Sequence, residues 1–327
     1  MFRKLNPKIL LSGFAILLVI VVLVKLNQRK SGDRSFRSEI VEVDTSKVTQ
    51  VVITAMPGGS EEKLFLEKSG ETWKVTKEGT VYNADEIMVE RLLEQLINMK
   101  PQRVAATTEN RWTDFEVTDS AGIFVKVKGG SKTLAEVIIG KFSYQQPTNP
   151  YDRQGKMTSY VRVEGEDEVY AVDGFLRMTF STDAGSYRDK AIISGNKSNW
   201  TKLKFRYPAD SSFVLEMQGN QWMTDGILAD SASVAQYLSR ISQMTSHNFV
   251  DTTLDVSDVP EFSLEIEGDN MVSSIKVDAF EADTTNKYLV TSNQNEGAFF
   301  SGAKAELFEK IFVPKSEFFL VEKSGEE

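Results

Sequence analysis

The sequence predicts an α+β protein with mainly antiparallel sheet, arranged as two duplicated lobes behind a single N-terminal transmembrane helix. Three observations carry this reading. The stretch Leu66-Glu67-Lys68-Ser69-Gly70-Glu71-Thr72-Trp73 reappears as Leu215-Glu216-Met217-Gln218-Gly219-Asn220-Gln221-Trp222, with Leu, Glu, Gly and Trp unchanged. Ala84-Asp85 and Ala229-Asp230 each open an amphipathic helical pattern. An apolar run from Ile9 to Leu26 precedes both copies.

That run comes first along the chain. Eighteen helical residues span roughly 27 Å, close to the hydrocarbon thickness of a bilayer. No small-x-small cleavage site follows it; Lys25-Leu26-Asn27-Gln28-Arg29-Lys30 does, so the segment reads as an uncleaved anchor that meets membrane lipid through residues 9–26. Basic residues flank it on both sides, Arg3, Lys4 and Lys8 before and Lys25, Arg29, Lys30, Arg34 and Arg37 after. Charge alone therefore leans slightly against export of the C-terminal part, although large domains translocate largely regardless of charge. The expected organisation is an anchor at 1–26, a polar linker at 27–39, α+β repeats at 40–190 and 191–320, and a polar tail at 321–327.

Each repeat is expected to open with three strands. The first lies at 46–53 in one copy and at 198–205 in the other, the second at 64–67 and 213–216, and the third starts at Trp73 and Trp222. Gly70 and Gly219 stand in the intervening turns, a hairpin signal. The two indoles are expected under the helix that follows, because large aromatics dominate cores. Asp85 is a good N-cap for the first helix, whose Val89, Leu92, Leu93, Leu96 and Ile97 form one apolar stripe. Asp230 caps the second, with Val234, Tyr237, Leu238 and Ile241 in the same spacing. Further strands follow at 125–129, 137–139, 160–163 and 169–174, matched by 264–268, 275–277, 288–291 and 297–302. A short helix closes each copy, near 174–180 and 302–312. The pattern is β-β-β-α-β-β-β-β-α, with strands in succession and one long helix inserted.

Composition bounds the function. The 327 residues are 41% hydrophobic and 26% charged, as in ordinary globular proteins. A net charge of −9 argues against a nucleic-acid-binding surface. Cysteine is absent, which excludes disulfides, thiolate nucleophiles, cysteine metal sites and a lipid-modified N-terminal cysteine. The one histidine, His247, lies past the second helix, where a helix-end or solvent role suffices. There is no Gly-x-Ser-x-Gly elbow and no Gly-x4-Gly-Lys-Ser/Thr phosphate loop, so the chain is not itself an ATPase. Two carboxylate groups, Glu164, Glu166, Asp167 and Glu168, and Asp251, Asp255 and Asp258, lack EF-hand spacing and read as solvated turns. No catalytic residue, cofactor or metal is expected. The main insertion distinguishing the first copy, 142–158, carries Tyr144, Tyr151 and Arg153, residue types enriched in binding hot spots, and is read as a contact loop.

The anchor, the Trp strand, the Ala-Asp-started helix, Ile138-Ile139-Gly140-Lys141, Tyr160-Val161-Arg162 and Val169-Tyr170-Ala171-Val172 together resemble the bacterial family called domain of unknown function 4340, over roughly residues 40–320. The resemblance implies a membrane-anchored extracytoplasmic accessory protein, similar in context to auxiliary subunits of ABC-type and gliding-associated transport systems. It carries over no catalytic residues. The expectation is therefore a non-catalytic binding or assembly protein with a protein partner, residues 1–8 inside and 27–327 outside a bacterial cytoplasmic membrane. Two alternatives stay open: an anchored hydrolase or glycan-processing enzyme using carboxylates, and a ligand-binding module with its site between the lobes.

Overall fold

The structure, a computed structural model, describes residues 37–147, 155–251 and 259–319. The expected anchor and the polar tail lie outside these residues, as does most of the linker. Among the described residues no helix is long and apolar enough to cross a membrane.

Along the first half of the chain run β1 (Gln50–Ala55), β2 (Glu62–Ser69), β3 (Thr72–Lys77), β4 (Thr80–Asn83), α1 (Glu86–Ile97), β5 (Pro101–Ala106), α2 (Trp112–Phe115), β6 (Ile123–Gly129), β7 (Lys132–Gln145), β8 (Lys156–Val163), β9 (Val169–Asp173) and α3 (Leu176–Thr179). The second half holds β10 (Ala191–Ser194), β11 (Trp200–Arg206), β12 (Phe213–Gln218), β13 (Gln221–Thr224), β14 (Ile227–Leu228), α4 (Ser231–Ile241), β15 (Gln243–Thr245), β16 (Phe262–Gly268), β17 (Ile275–Glu281), β18 (Tyr288–Ser292), β19 (Phe300–Ser301) and α5 (Leu307–Ile311). The class is α+β, mostly antiparallel sheet with a few helices.

Contacts divide the chain into two compact units. The smaller draws on 37–43, 95–122 and 137–177, the larger on 44–94, 123–136 and 178–319. In the smaller unit, β8 pairs antiparallel with the later part of β7 and with β9, which pairs with β5. Its core packs Phe115 against Tyr160, ring centroids 4.6 Å apart, over buried Ile139, Val161 and Leu176. Arg162 is buried there as well. Its guanidinium lies 3.7 Å over the Trp112 ring, its Nε donates to the Val117 carbonyl, and its Nη1 pairs with Glu164 at 3.4 Å, so its charge is met by a π face, a hydrogen bond and a carboxylate.

The larger unit contains strands in the order β4-β3-β2-β1-β6, a separate sheet in the order β14-β13-β12-β11-β16-β17-β18-β19, and the pair β10-β15. The first four strands of each sheet and the strand after them pair in the same order. Local details recur at matching positions. Gly70 and Gly219 sit in the β2–β3 and β12–β13 turns with φ of 66° and 63°, the left-handed conformation that glycine tolerates best. Asp85 Oδ1 accepts from the amides of Ile87 and Met88 at 3.0 and 3.2 Å, and Asp230 Oδ2 accepts from Ser233 N at 2.8 Å, so both aspartates cap their helices. Ala84 N donates to Trp73 O and Ala229 N to Trp222 O. Asp85 N donates to Tyr187 O and Asp230 N to Phe318 O. Gly129 and Gly268 each leave room for a crossing carbonyl; a Cβ there would stand 2.8 Å from Lys47 O and 2.0 Å from Asn199 O.

Both indoles are buried, Trp73 at 6% exposure and Trp222 at 8%. Trp222 belongs to one apolar cluster with Val234, Leu238 and Ile241 of α4 and with Leu203 and Leu215 of the sheet. The cluster is aromatic-rich: Phe205 and Phe213 stack at 4.4 Å, and the Tyr237 hydroxyl donates to Ile311 O at 2.7 Å.

Two features depart from the expected element order. A short strand precedes each helix (β4, β14) and another follows it (β5, β15). These runs are too brief, or too interrupted, to show periodicity; β5 opens on a proline. The stretch 142–158, expected as a loop, is paired as far as Gln145 on one side and from Lys156 on the other. Residues 148–154 lie outside the described ones.

Trp222→Ala should lower the unfolding free energy by about 3–5 kcal/mol, the usual cost of deleting a buried aromatic side chain. Urea unfolding followed by fluorescence of the remaining tryptophans measures this. A loss below about 1 kcal/mol would mean that the indole is not a core element.

Candidate functional site

The most unusual side chain of the larger unit is Arg188. It follows Tyr187 in a segment that meets the end of β4 through a single antiparallel bridge, Ala84 to Arg188. That bridge brings Arg188 beside Tyr82. A second bridge, Phe249 to Phe300, brings Phe249 to its other side. The guanidinium carbon stands 3.8 Å from the Tyr82 ring centroid and 3.7 Å from that of Phe249. Nη1 donates to both carboxylate oxygens of Asp251, at 2.8 and 2.7 Å. The residue is 4% exposed. A flat, delocalised and weakly hydrated cation suits this setting, since each ring face offers negative potential and the carboxylate balances the charge.

A cavity of about 200 Å³ opens beside this clamp, lined by Lys74, Tyr82, Asn83, Arg188, Asp189 and Asn295 among others. Its polar groups are wired together. Lys74 Nζ donates to Asn83 Oδ1 at 2.5 Å, and Asn83 Nδ2 donates to Asn295 Oδ1 and to Glu296 O, both at 3.2 Å. Asn295 Nδ2 donates to Asp189 O at 2.8 Å. Asp189 itself accepts from Ala191 N at 2.9 Å. Burial pushes its carboxyl above the ordinary range, with the nearby Asp85 charge acting in the same direction and the amide hydrogen bonds opposing. The cavity thus presents amides, a lysine and a carboxyl. It is smaller than most sites for drug-sized molecules, and neither the histidine nor an activated nucleophile lines it. Such a lining can hold a small polar group.

The residues expected to matter fall in different places. Tyr144 sits on the last turnout of β7, 52% exposed, opposite Met157 of β8. Its ring covers Gly155, where a Cβ would stand 2.3 Å from it. Phe142, two residues earlier, is also exposed and packs on Phe175 with centroids 4.2 Å apart. Phe142 and Met157 therefore join Tyr144 in one apolar strip, which the strict alternation of 142 and 144 with polar Ser143 and Gln145 could have signalled. Tyr151 and Arg153 lie outside the described residues. His247 is exposed. Of the carboxylates, Glu166 pairs with Arg37 at 2.7 Å, Glu164 with Arg162 at 3.4 Å and Asp251 with Arg188, while Asp255 and Asp258 lie outside the described residues. Among the described residues no group of three or more potential ligands could hold a metal ion. The Arg188 clamp was invisible beforehand, because its four members are scattered from residue 82 to residue 251.

A family model described as "Domain of unknown function (DUF4340)" matches residues 73–265. No curated protein and no solved structure matches the chain.

Arg188→Ala should cost about 2–3 kcal/mol, combining two desolvated cation–π contacts with a partly buried ion pair. Arg188→Lys should recover little of it, because an ammonium cannot fill a planar slot between two rings. Chemical denaturation of the two variants decides; full rescue by lysine would reduce the clamp to a simple charge. A second expectation concerns Asp189. Its raised folded-state pKa means that the folded protein takes up the proton before the unfolded chain does. The stability of the wild type relative to Asp189→Asn should therefore rise as pH falls through the carboxylate range and stay level above it. Melting temperatures of both proteins between pH 3 and 7 test the sign.

Proposed function

Because the chain belongs to the Domain of unknown function (DUF4340) family, whose description states no activity, we propose its role from its own residues: it is a non-catalytic, membrane-anchored binding and assembly protein of the bacterial envelope. Residues 9–26 hold it in the cytoplasmic membrane, and 27–327 lie on the extracytoplasmic side. The ectodomain consists of two lobes that arose by duplication, 40–190 and 191–320, each with an amphipathic helix. The recurrence of cap, turn, glycine and backbone bond at matching positions supports the duplication. The partner is a subunit of an ABC-type transport system, for which this chain serves as an accessory component.

The observation that carries the binding role is the exposed strip of Phe142, Tyr144 and Met157 at the end of the β7–β8 pair. Monomeric proteins seldom leave neighbouring large apolar side chains in water unless something covers them. The sequence continues from this strip into Tyr151 and Arg153, residue types that dominate interface energetics. A second reading, a ligand-binding module, draws its support from the cavity beside Arg188, whose polar groups come from both copies of the repeat.

Isolation of the tagged full-length protein from native membranes in mild detergent should co-purify transporter ATPase and permease subunits in fixed ratio. Replacing Tyr144, Tyr151 and Arg153 together by alanine should weaken that association at least about tenfold while leaving the unfolding transition in place. His247→Ala should change neither. Purified complexes free of transporter subunits would sink the proposal, and so would a folded loop variant that retains full association.

A further inference from the structure

We propose that the outward face of β6, β1, β2, β3 and β4 is a binding groove for an acidic oligosaccharide. One cross-strand row runs Lys128, Gln50, Glu67, Lys74, Asn83, each residue directly opposite the next. The buried partners Val51, Leu66, Trp73 and Val127 alternate with it, so the row lies on the face turned away from the core. It borders a groove of about 560 Å³, within the size range of small-molecule sites. Lys68 adds a third cation to the rim. The groove meets the cavity beside Arg188 through Lys74 and Val81, which line both.

The second sheet provides an internal comparison. Its corresponding row reads Glu267, Lys202, Glu216, Met223, Leu228. There the cations are neutralised: Lys202 pairs with Glu216 at 3.0 Å, and Lys204 pairs with Glu265 and Glu267. In the first sheet glutamate and methionine are replaced by Lys128 and Lys74. Among the described residues neither of these lysines, nor Lys68, has a carboxylate within ion-pair distance, and the one glutamate of the row, Glu67, accepts from Gln50. A chain of net charge −9 thus sets three lysines against a single carboxylate, Glu67, around one concavity. Lys128 and Lys74 stand three strand spacings apart in the row, about 14 Å, which suits a ligand whose acidic groups recur along its length.

The rest of the lining selects the ligand class. Hydroxyls of Thr49, Ser69, Thr76 and Ser131 and the Gln50 amide supply both donors and acceptors, the complement of sugar hydroxyls. Val81 is the one aliphatic side chain of the groove, which gives neither the apolar core of a protein interface nor a seat for an acyl chain. No aromatic ring lines it for base stacking, and three cations fall short of the dense basic face that nucleic acid requires.

Calorimetric titration of the full-length protein in neutral detergent with tetragalacturonate, at low salt, tests the groove. Binding should be measurable and should weaken as salt rises. Lys74→Gln combined with Lys128→Gln should weaken it at least about tenfold, since each removes a charge-assisted contact. Lys202→Gln, on the other sheet, should bind as the wild type does, and maltotetraose, of the same length but uncharged, should not bind. Circular dichroism confirms that the variants fold. Absence of binding to the wild type, or undiminished binding by the double variant, overturns the site. Equal affinity for glycerol 3-phosphate would assign it to a lipid headgroup and overturn the oligosaccharide.

Discussion

In the larger unit a buried cation, Arg188, ties together segments far apart in sequence. Arg188 lies between α3 and β10 along the chain, and every group that holds it comes from elsewhere in sequence. Tyr82 contributes one ring from β4, Phe249 the other from the segment after β15, and Asp251 the counter-charge. An arginine taken from water costs several kcal/mol unless its charge is met on all sides. The three partners must therefore be in register together or the residue is not tolerated at all. That requirement ties the end of β4 to residues 249–251 more specifically than apolar packing could, because packing accepts many arrangements of similar volume. The adjoining cavity shares Tyr82 and Arg188 with the clamp.

Around this point the two sheets share a strand order and differ in what they show to solvent. The scaffold is maintained by features with narrow physical tolerances. A glycine must stand where a carbonyl crosses the sheet, an aspartate must cap each helix, and an aromatic carbonyl must receive the cap's own amide. The outward faces carry no such constraint. One has filled its cross-strand row with paired charges and apolar residues, which is the inert solution for an exposed sheet. The other carries Lys128 and Lys74 without ion pairs among the described residues. Binding capacity arises most readily on such outward faces, since surface positions change at little cost in stability.

The β7–β8 pair shows a related division. Its inner part, Ile138, Ile139 and Val161, is buried and contributes to the smaller unit's core. After a register shift between Ile139 and Phe142, its outer part carries Phe142, Tyr144 and Met157 as exposed side chains. The paired strands hold this apolar strip in place, because the ladder resumes from Phe142 to Gln145.

The chain's own residues determined its class and much of its layout. Period-two and 3.6-residue spacings, the Gly70 and Gly219 turns, and the Asp85 and Asp230 caps depend on neighbours within a few positions, so they are legible locally; both indoles were expected in the core and are found there. The short strands β4, β5, β14 and β15 were missed because runs of a few residues have no period to detect, and the 142–158 stretch was read as a loop although its alternation continues to Gln145. The Arg188 clamp and the Lys128-to-Asn83 row could be decided only by the tertiary structure. Tyr82, Arg188, Phe249 and Asp251 share no spacing that a sequence can display, and a row across five strands exists only once register has set which residues stand opposite. Local chemistry specified the elements; pairing across long separations specified which charges ended up facing one another and which were left for a ligand.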